Sequence, residues 1–292
     1  MGSLKDIRTR IDSVKTTRQV TSAMKLVSAA KLKKAQDDIF RIRPYADKLN
    51  EIIYDLINSM DDESVKIDLA EERESDRVLV VMITSNRGLC GAFNSNVVKE
   101  VNNLIRKEYS SHLKNGFIDV VAIGKQGKKL LKTAGILCSD EKNEVYNHLS
   151  FSNVEEISQS IIDDFKMKKY DRVLIAYNEF VNAAVQNPTV QQFLPLQLPE
   201  RDATHTSLYI YEPDQKTIMD ELIPKSLKTM FFKTILDSVA AEHGARMTSM
   251  HKATDNATEL IGDLQLSYNK ARQSSITSEI LEIVSGAEAL TK

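Results

Sequence analysis

The chain has 292 residues, 42% of them hydrophobic, a net charge of −2, two cysteines and no tryptophan. Its longest purely apolar run, Val78 to Ile83, is far short of the ~20 residues that a membrane-crossing helix needs. Met1 leads directly into helix-forming sequence, so no signal segment or transit peptide is expected, and the chain reads as soluble and retained in the compartment of its synthesis. Cys90 and Cys138 lack CxxC spacing and are expected to be buried thiols.

No Gly or Pro occurs from Ser3 to Arg43, and Ser3 with Asp6 suggests a capped helix start. The apolar residues then step at heptad spacing: Leu4, Ile7, Ile11, Val14. The stripe falters, resumes at Val20, Met24 and Val27, and continues as Ala35, Ile39, Ile42, Ala46, Leu49, Ile53, Leu56 and Met60. Pro44 is expected to bend the helix or loosen a turn. Some 57 residues at 1.5 Å each would span about 85 Å. This helix is basic: nine Lys and Arg lie between Lys5 and Lys34, against Asp6 and Asp12. The following stretch, Asp61 to Asp76, is acidic. The asymmetry fits a basic rod tip facing an acidic or polar partner.

The period changes after Arg77. Val78 to Thr84 reads as a strand buried on both faces, and the loop Ser85 to Gly91 leads into a helix from Asn94 to His112. A strand at Ile118 to Ile123, a helix at Lys125 to Thr133, a helix at Val154 to Lys168 and a strand at Arg172 to Tyr177 follow. Further strands are expected at Thr189 to Leu194 and Ser207 to Tyr211. This alternation predicts a small doubly wound, Rossmann-like α/β domain. Glu212-Pro213-Asp214 punctuates the start of a returning helix, whose first turns Pro224 should interrupt. That helix carries the heptad set Met247, Met250, Thr254, Ala257, Ile261, Leu264, Tyr268 and Ala271. The set slips once and resumes as Ile276, Ile280, Ile283, Ala287 and Leu290. The expected fold is α+β overall: a long antiparallel coiled coil of the N- and C-terminal helices plus a central Rossmann-like domain. Its parts are 1–60, 77–211 and 214–292.

Two loops invite a nucleotide reading. Gly88-x-x-Gly91 follows a strand, and Gly124-Lys125-Gln126-Gly127-Lys128-Lys129 opens a helix. Neither has the spacing of a phosphate-binding loop, and no acidic residue ends the second strand. The five histidines, His112, His148, His205, His243 and His251, show no metal-ligand spacing. No catalytic triad, cofactor site or metal site is expected, and the basic helix lacks the aromatic interleaving of a nucleic-acid grip.

The run from Ile7 to Lys31, with Thr21-Ser22-Ala23-Met24-Lys25, resembles the N-terminal signature of the F-type ATP synthase gamma subunit. So do Ala245-Arg246-Met247-x-x-Met250 with Ala253 to Ala257, Tyr268 to Ile280, Glu282 to Ala287, and the loop Ser85-Asn86-Arg87-Gly88-Leu89-Cys90-Gly91-Ala92-Phe93-Asn94. The resemblance is to the bacterial type. It implies a rotor shaft threading a hexamer of three alpha and three beta subunits. The α/β domain would sit beside epsilon and the membrane ring of c subunits, so that the membrane is reached only through that ring. It implies a complex peripheral to the cytoplasmic face of the inner membrane, and a chain with no catalytic group of its own. It implies beta-subunit contacts at Met24, Lys25, Arg246, Arg272, Gln273, Thr277 and Glu279, and an epsilon and ring side at Tyr209, Tyr211 and Glu212. The cysteine pair of chloroplast members has no counterpart here. The rivals are a nucleotide-binding enzyme with a dimerisation arm and a basic coiled-coil arm for nucleic acid.

Overall fold

A computed structural model describes residues 4–59, 67–73, 77–146, 148–197 and 211–290. Two units divide the chain: Met1–Ser28 with Met247–Lys292, and Ala29–Arg246.

The first helix, α1, runs Leu4–Ser59 with Asp6 in its first turn. It passes through Pro44 without ending. The proline lies on the exposed face, where the ring meets solvent and only one backbone bond is forfeited. The capping role expected of Ser3, and Met60, lie outside the described residues. Burial along α1 corrects the faltering stripe. Leu4, Ile7, Ile11, Val14, Arg18, Thr21, Lys25, Ser28, Leu32 and Ala35 are each buried or half-buried, at steps of three and four. The pattern then runs on through Ile39, Ile42, Ala46, Leu49, Ile53 and Leu56. The heptad therefore never slips. Val20 and Val27 point outward, 52% and 57% exposed, and polar side chains hold the seam between Val14 and Leu32.

In the larger unit the strands are β1 (Val78–Ile83), β2 (Ile118–Ile123), β3 (Asp140–Glu141), β4 (Arg172–Phe180) and β5 (Gln186–Leu194). They form one sheet in the order β3-β2-β1-β4-β5. The first four are parallel, and β5 pairs antiparallel with β4. The β4–β5 turn is set by Asn182, whose side-chain oxygen accepts from Ala184 N and Val185 N, both at 2.9 Å. The strand expected from Ser207 lies outside the described residues, except Tyr211, which is not in a strand.

All six residues of β1 are buried, and alternate side chains face opposite layers. Val78, Val80 and Met82 pack with Val97, Val101 and Ile105 of α2 (Phe93–Lys107). Leu131 of α4 (Lys125–Ala134) joins the same core. The single helix expected from Asn94 to His112 is two, because α3 (Ser110–Asn115) starts anew after Tyr109, which turns into that core. The fifth helix, α5 (Phe151–Lys166), begins three residues before the expected start, where Ser150 Oγ caps Asn153 N at 3.4 Å.

The last helix, α6, runs Gln215–Leu290 with Pro224 inside it, so the expected interruption does not end a helix. Asp214 starts it, accepting from Thr217 N at 3.0 Å and Thr217 Oγ1 at 2.7 Å. Within the larger unit α6 runs antiparallel to α1: Gln215 Nε2 donates to Ser59 O at 3.2 Å, while Ser226 Oγ lies 3.3 Å from Asn50 Oδ1. From Thr229 to Arg246 α6 buries most of its circumference. Phe231 packs on Phe193 of β5, centroids 5.5 Å apart, and Phe232 meets Phe151 of α5 edge-on at 5.6 Å.

In the smaller unit the helices meet at Thr21 and Thr254, whose hydroxyl oxygens are 2.8 Å apart. Seventeen residues separate Leu4 from Thr21, and the same count beyond Thr254 reaches Ala271. Burial on α6 follows that antiparallel register. It continues through Ala257, Ile261, Leu264, Tyr268 and Ala271 to Ser275, and residues 276–287 are all exposed.

Candidate functional site

In a doubly wound sheet, ligands sit beyond the carboxyl ends of the strands where the strand order reverses. Here β2 lies on one side of β1 and β4 on the other, which puts the switch point at the ends of β1 and β4. The chain fills this place itself. Cys90 and Phe93, from the loop and helix after β1, pack with Ala241 and Ala245 of α6 and with Phe180 at the end of β4. Asn94 Oδ1 accepts from Ser85 N at 2.9 Å, Asn178 Nδ2 donates to Phe93 O at 2.9 Å, and Tyr146 Oη donates to Thr84 O at 2.7 Å.

Gly244 makes the close approach possible. A Cβ there would lie 3.1 Å from Ala183 Cα and 3.4 Å from Phe180 Cε2. The glycines of the second loop have a similar task. A Cβ on Gly124 would fall 2.2 Å from Thr84 O, and one on Gly127 would fall 2.6 Å from Thr84 Oγ1. The first amides of α4, which would hold a phosphate, are already engaged. Lys125 N donates to Asn86 Oδ1 at 3.1 Å, Gln126 N to Ser85 O at 3.1 Å, and Gly127 N to Thr84 Oγ1 at 3.0 Å.

Arg246 closes this socket and is 7% exposed. Its Nη2 sits 2.7 Å from Glu242 Oε1 and donates to Arg87 O at 3.0 Å, while Nε approaches Gly88 O at 3.4 Å. Nη1 lies 3.2 Å from His243 Nδ1. An arginine can only donate, so that ring nitrogen accepts and the proton of the neutral imidazole belongs on Nε2. Burial, aided by Arg246 and Lys31, pushes His243 down to about 4. Burial pushes the Glu242 carboxyl up, and Arg246 pulls it back. Burial also raises the Cys90 thiol. Cys138 is half-buried rather than buried, and neither cysteine is in a disulfide.

An open cleft of about 1200 Å³ lies between Leu79, Val81 and Val121 of the sheet and Ile157 and Ile161 of α5. Three of its rim carboxylates are paired: Glu141 with Lys128 at 2.8 Å, Asp140 with Lys142 at 2.8 Å, and Asp164 with Lys169 at 2.9 Å. Among the described residues no group of three or more His, Cys, Asp or Glu could hold a metal ion. No described helix is long and apolar enough to cross a membrane.

The other sequence-derived positions fall as follows. Met24 and Lys25 are half-buried on α1. Arg272, Gln273, Thr277 and Glu279 are exposed on α6. Tyr211 is half-buried and Glu212 exposed, while Tyr209 lies outside the described residues. The stripe Ile276, Ile280 and Ile283 is exposed at 49%, 55% and 72%. At about 100° per residue these three share a sector about 60° wide, centred about 120° from the seam residues Leu264, Tyr268, Ala271 and Ser275. The stripe is thus a second face and no continuation of the seam. Arg272 and Glu279 border it on one side, and Gln273 and Thr277 on the other. Sequence reading missed the seam role of Arg18, Thr21 and Ser28, as well as Glu242. The three-and-four spacing carried through polar residues could have found the first three, and the i, i+4 pairing with Arg246 the last.

The ATP synthase family model matches residues 3–290. The ATP synthase gamma chain of Flavobacterium psychrophilum is 53% identical over 292 residues, covering 99% of both chains. That of Christiangramia forsetii is 49% identical over 290 residues, again covering 99% of each. Among solved structures, a chain of the Euglena gracilis mitochondrial ATP synthase (OSCP/F1/c-ring) superposes with a TM-score of 0.65 at 20% identity, covering 98% of this chain and 94% of that one. The packed seam, the plugged crevice and full-length identity near one half have one common account: this chain belongs to the ATP synthase gamma chain family.

Proposed function

We propose that this chain is the central-stalk shaft of an F-type ATP synthase, mechanically coupling ion flow through the membrane c-ring to ATP synthesis or hydrolysis at the alpha/beta hexamer by rotation. The observation that carries the reading is the tip of α6. Ile276, Ile280 and Ile283 are each at least 49% exposed on a helix whose neighbouring faces carry the polar pairs described above. An apolar stripe bordered by hydrogen-bonding groups suits burial inside a fitted sleeve. The resemblance to the F-type gamma subunit implies that the sleeve is three alpha and three beta subunits, with epsilon and the c-ring as the remaining partners.

The chain acts as a subunit of the enzyme and supplies no catalytic group. Its effect on the beta subunits is a population shift, in which each orientation of an asymmetric shaft makes different contacts with a beta subunit in different states. Met24 and Lys25 on α1, with Arg246, Arg272, Gln273, Thr277 and Glu279 on α6, are the positions where beta contacts are sought. Tyr209, Tyr211 and Glu212 belong to the epsilon and ring side. The parts 1–60, 77–211 and 214–292 serve as first shaft helix, ring-side α/β domain and second shaft helix. The complex is placed on the cytoplasmic face of the bacterial inner membrane, peripheral to it.

The deciding experiment is co-purification of the tagged chain from its own cells. Alpha and beta subunits at three copies each per chain are expected, and recovery without them would end the reading. Within the complex, Arg272→Glu should lower ion pumping per ATP hydrolysed while assembly survives. Unchanged pumping would remove Arg272 from the contact set.

A further inference from the structure

We infer that Glu242 is a positioning residue for torque transfer, holding Arg246 as a clamp between α6 and the loop at the carboxyl end of β1. The inference rests on the shaft reading above. The clamp has three layers. The Glu242 carboxylate, 7% exposed, lies 2.7 Å from Arg246 Nη2, so the guanidinium is held in place from within its own helix. The guanidinium then grips two successive backbone carbonyls, Arg87 O at 3.0 Å and Gly88 O at 3.4 Å. Below them, Cys90 and Phe93 pack on Ala241 and Ala245, and Gly244 brings α6 against the backbone of Ala183.

The location matters as much as the contacts. The loop leaves the carboxyl end of the fully buried central strand β1. A twist applied to α6 therefore reaches β1 through this socket, in the crevice that other doubly wound folds leave open for a ligand, while Phe231 meets β5 at Phe193. A packed apolar socket resists separation but resists rotation about the helix axis poorly, because its contacts have no direction. Hydrogen bonds from a planar guanidinium to fixed carbonyls are directional and supply that resistance. Arg246 therefore has work to do inside the chain, and Glu242, which faces Arg246 and is shielded from solvent, acts through it.

The test uses the intact ATP synthase in sealed vesicles, carrying Glu242→Gln, which keeps side-chain shape and removes the charge. Two quantities are read: ions pumped per ATP hydrolysed, and hydrogen exchange of amides 86–91. The clamp predicts a hydrolysis rate close to wild type, lower pumping per ATP, and exchange of the loop amides about tenfold faster, the factor that one charge-assisted hydrogen bond represents. Restraint by a second route should rescue the variant. With Ala241→Cys added, a verified disulfide to Cys90 should restore pumping, and reduction should abolish the gain. Pumping like wild type, slow loop exchange despite lost pumping, or no rescue by a verified bridge would each overturn the assignment. Failure of the shaft reading looks different, because the wild-type complex itself would then show no pumping that depends on this chain.

Discussion

Replacing Thr254 by valine tests the polar seam at a direct interhelical hydrogen bond. The Thr254 hydroxyl lies 2.8 Å from Thr21 Oγ1 and 2.8 Å from Met250 O. Thr21, 8% exposed, also donates to Arg18 O at 3.0 Å. Valine keeps the branched shape and deletes the donor. Thr21 retains its own acceptor, so the loss is one net hydrogen bond, about 1 kcal/mol. Thr21→Val should cost a similar amount, since it strands the Thr254 hydroxyl on its intrahelical partner. The double variant restores consistency: two apolar side chains meet where two hydroxyls met, and replacing both partners of a buried bond is close to neutral. The expected coupling is about 2 kcal/mol in a double-mutant cycle, the two single costs that the double variant cancels. Native-state hydrogen exchange at amides around 21 and 254 reads it, each single variant exchanging about fivefold faster and the double close to wild type. Single effects that add to within about 0.4 kcal/mol in the double variant would refute the pairing.

Three further outcomes are expected. Gly262→Ala should slow exchange around 262 about fivefold, since no atom lies within 4 Å of the new Cβ and helix propensity favours alanine by about 1 kcal/mol; Gly244→Ala should gain less or lose stability, because its Cβ meets the Ala183 backbone at 3.1 Å, and equal gains at both sites would contradict the socket. His243 stays neutral in the folded chain down to about 4, against an ordinary 6.5. The unfolded chain binds the extra proton in that window, so stability falls as pH drops from 6.5 towards 4, by at most about 1.4 kcal/mol per pH unit. Glu242, raised above 4.5, has the opposite slope above that pH. The difference between wild type and His243→Gln isolates the histidine, and denaturant midpoints that track each other across pH would refute its burial as a neutral ring. Finally, Ile280→Asp should leave the melting of the isolated chain unchanged, because Ile280 is 55% exposed, but should impair assembly with alpha and beta subunits, as measured by co-purification. Normal assembly would show that the stripe is not a buried face.

What could be read from the chain in advance depended on whether a position was fixed by apolar burial or by polar geometry. Strand β1 was legible to within a residue, because a strand buried on both faces demands an unbroken apolar run, and β2 was legible too, although Asp119 interrupts its apolar residues. The heptads were legible wherever Leu, Ile, Val or Ala filled them. They became invisible between Val14 and Leu32, where Arg18, Thr21, Lys25 and Ser28 take the seam while Val20, Leu26 and Val27 face out. Apolar periodicity reports the face that is buried most widely, and there the exposed valines outvote the seam. The same rule misread Ile276, Ile280 and Ile283 as a slipped seam, although they form a separate, uncovered face.

The polar seam and the exposed stripe have a common physical cause. A side chain on a shaft helix has two claims on it, one from the opposite helix and one from whatever surrounds the pair. Where the surrounding surface takes the apolar residues, the seam is left with what remains, and threonine and serine can still meet closely there by bonding to their own helix backbone. Thr21, Ser28 and Thr254 each do so, at 3.0, 2.8 and 2.8 Å. Such a seam buries little apolar area and gains correspondingly little, at roughly 25 cal/mol per Å². The smaller unit, where Val20, Val27, Ile276 and Ile280 are exposed, is therefore weakly held by its own packing and strongly suited to being held by others. The larger unit has the reverse arrangement, with Leu49, Ile53 and Leu56 in the seam and α6 buried almost all round near Arg246. That difference between the units is written into which face of each helix receives the apolar residues.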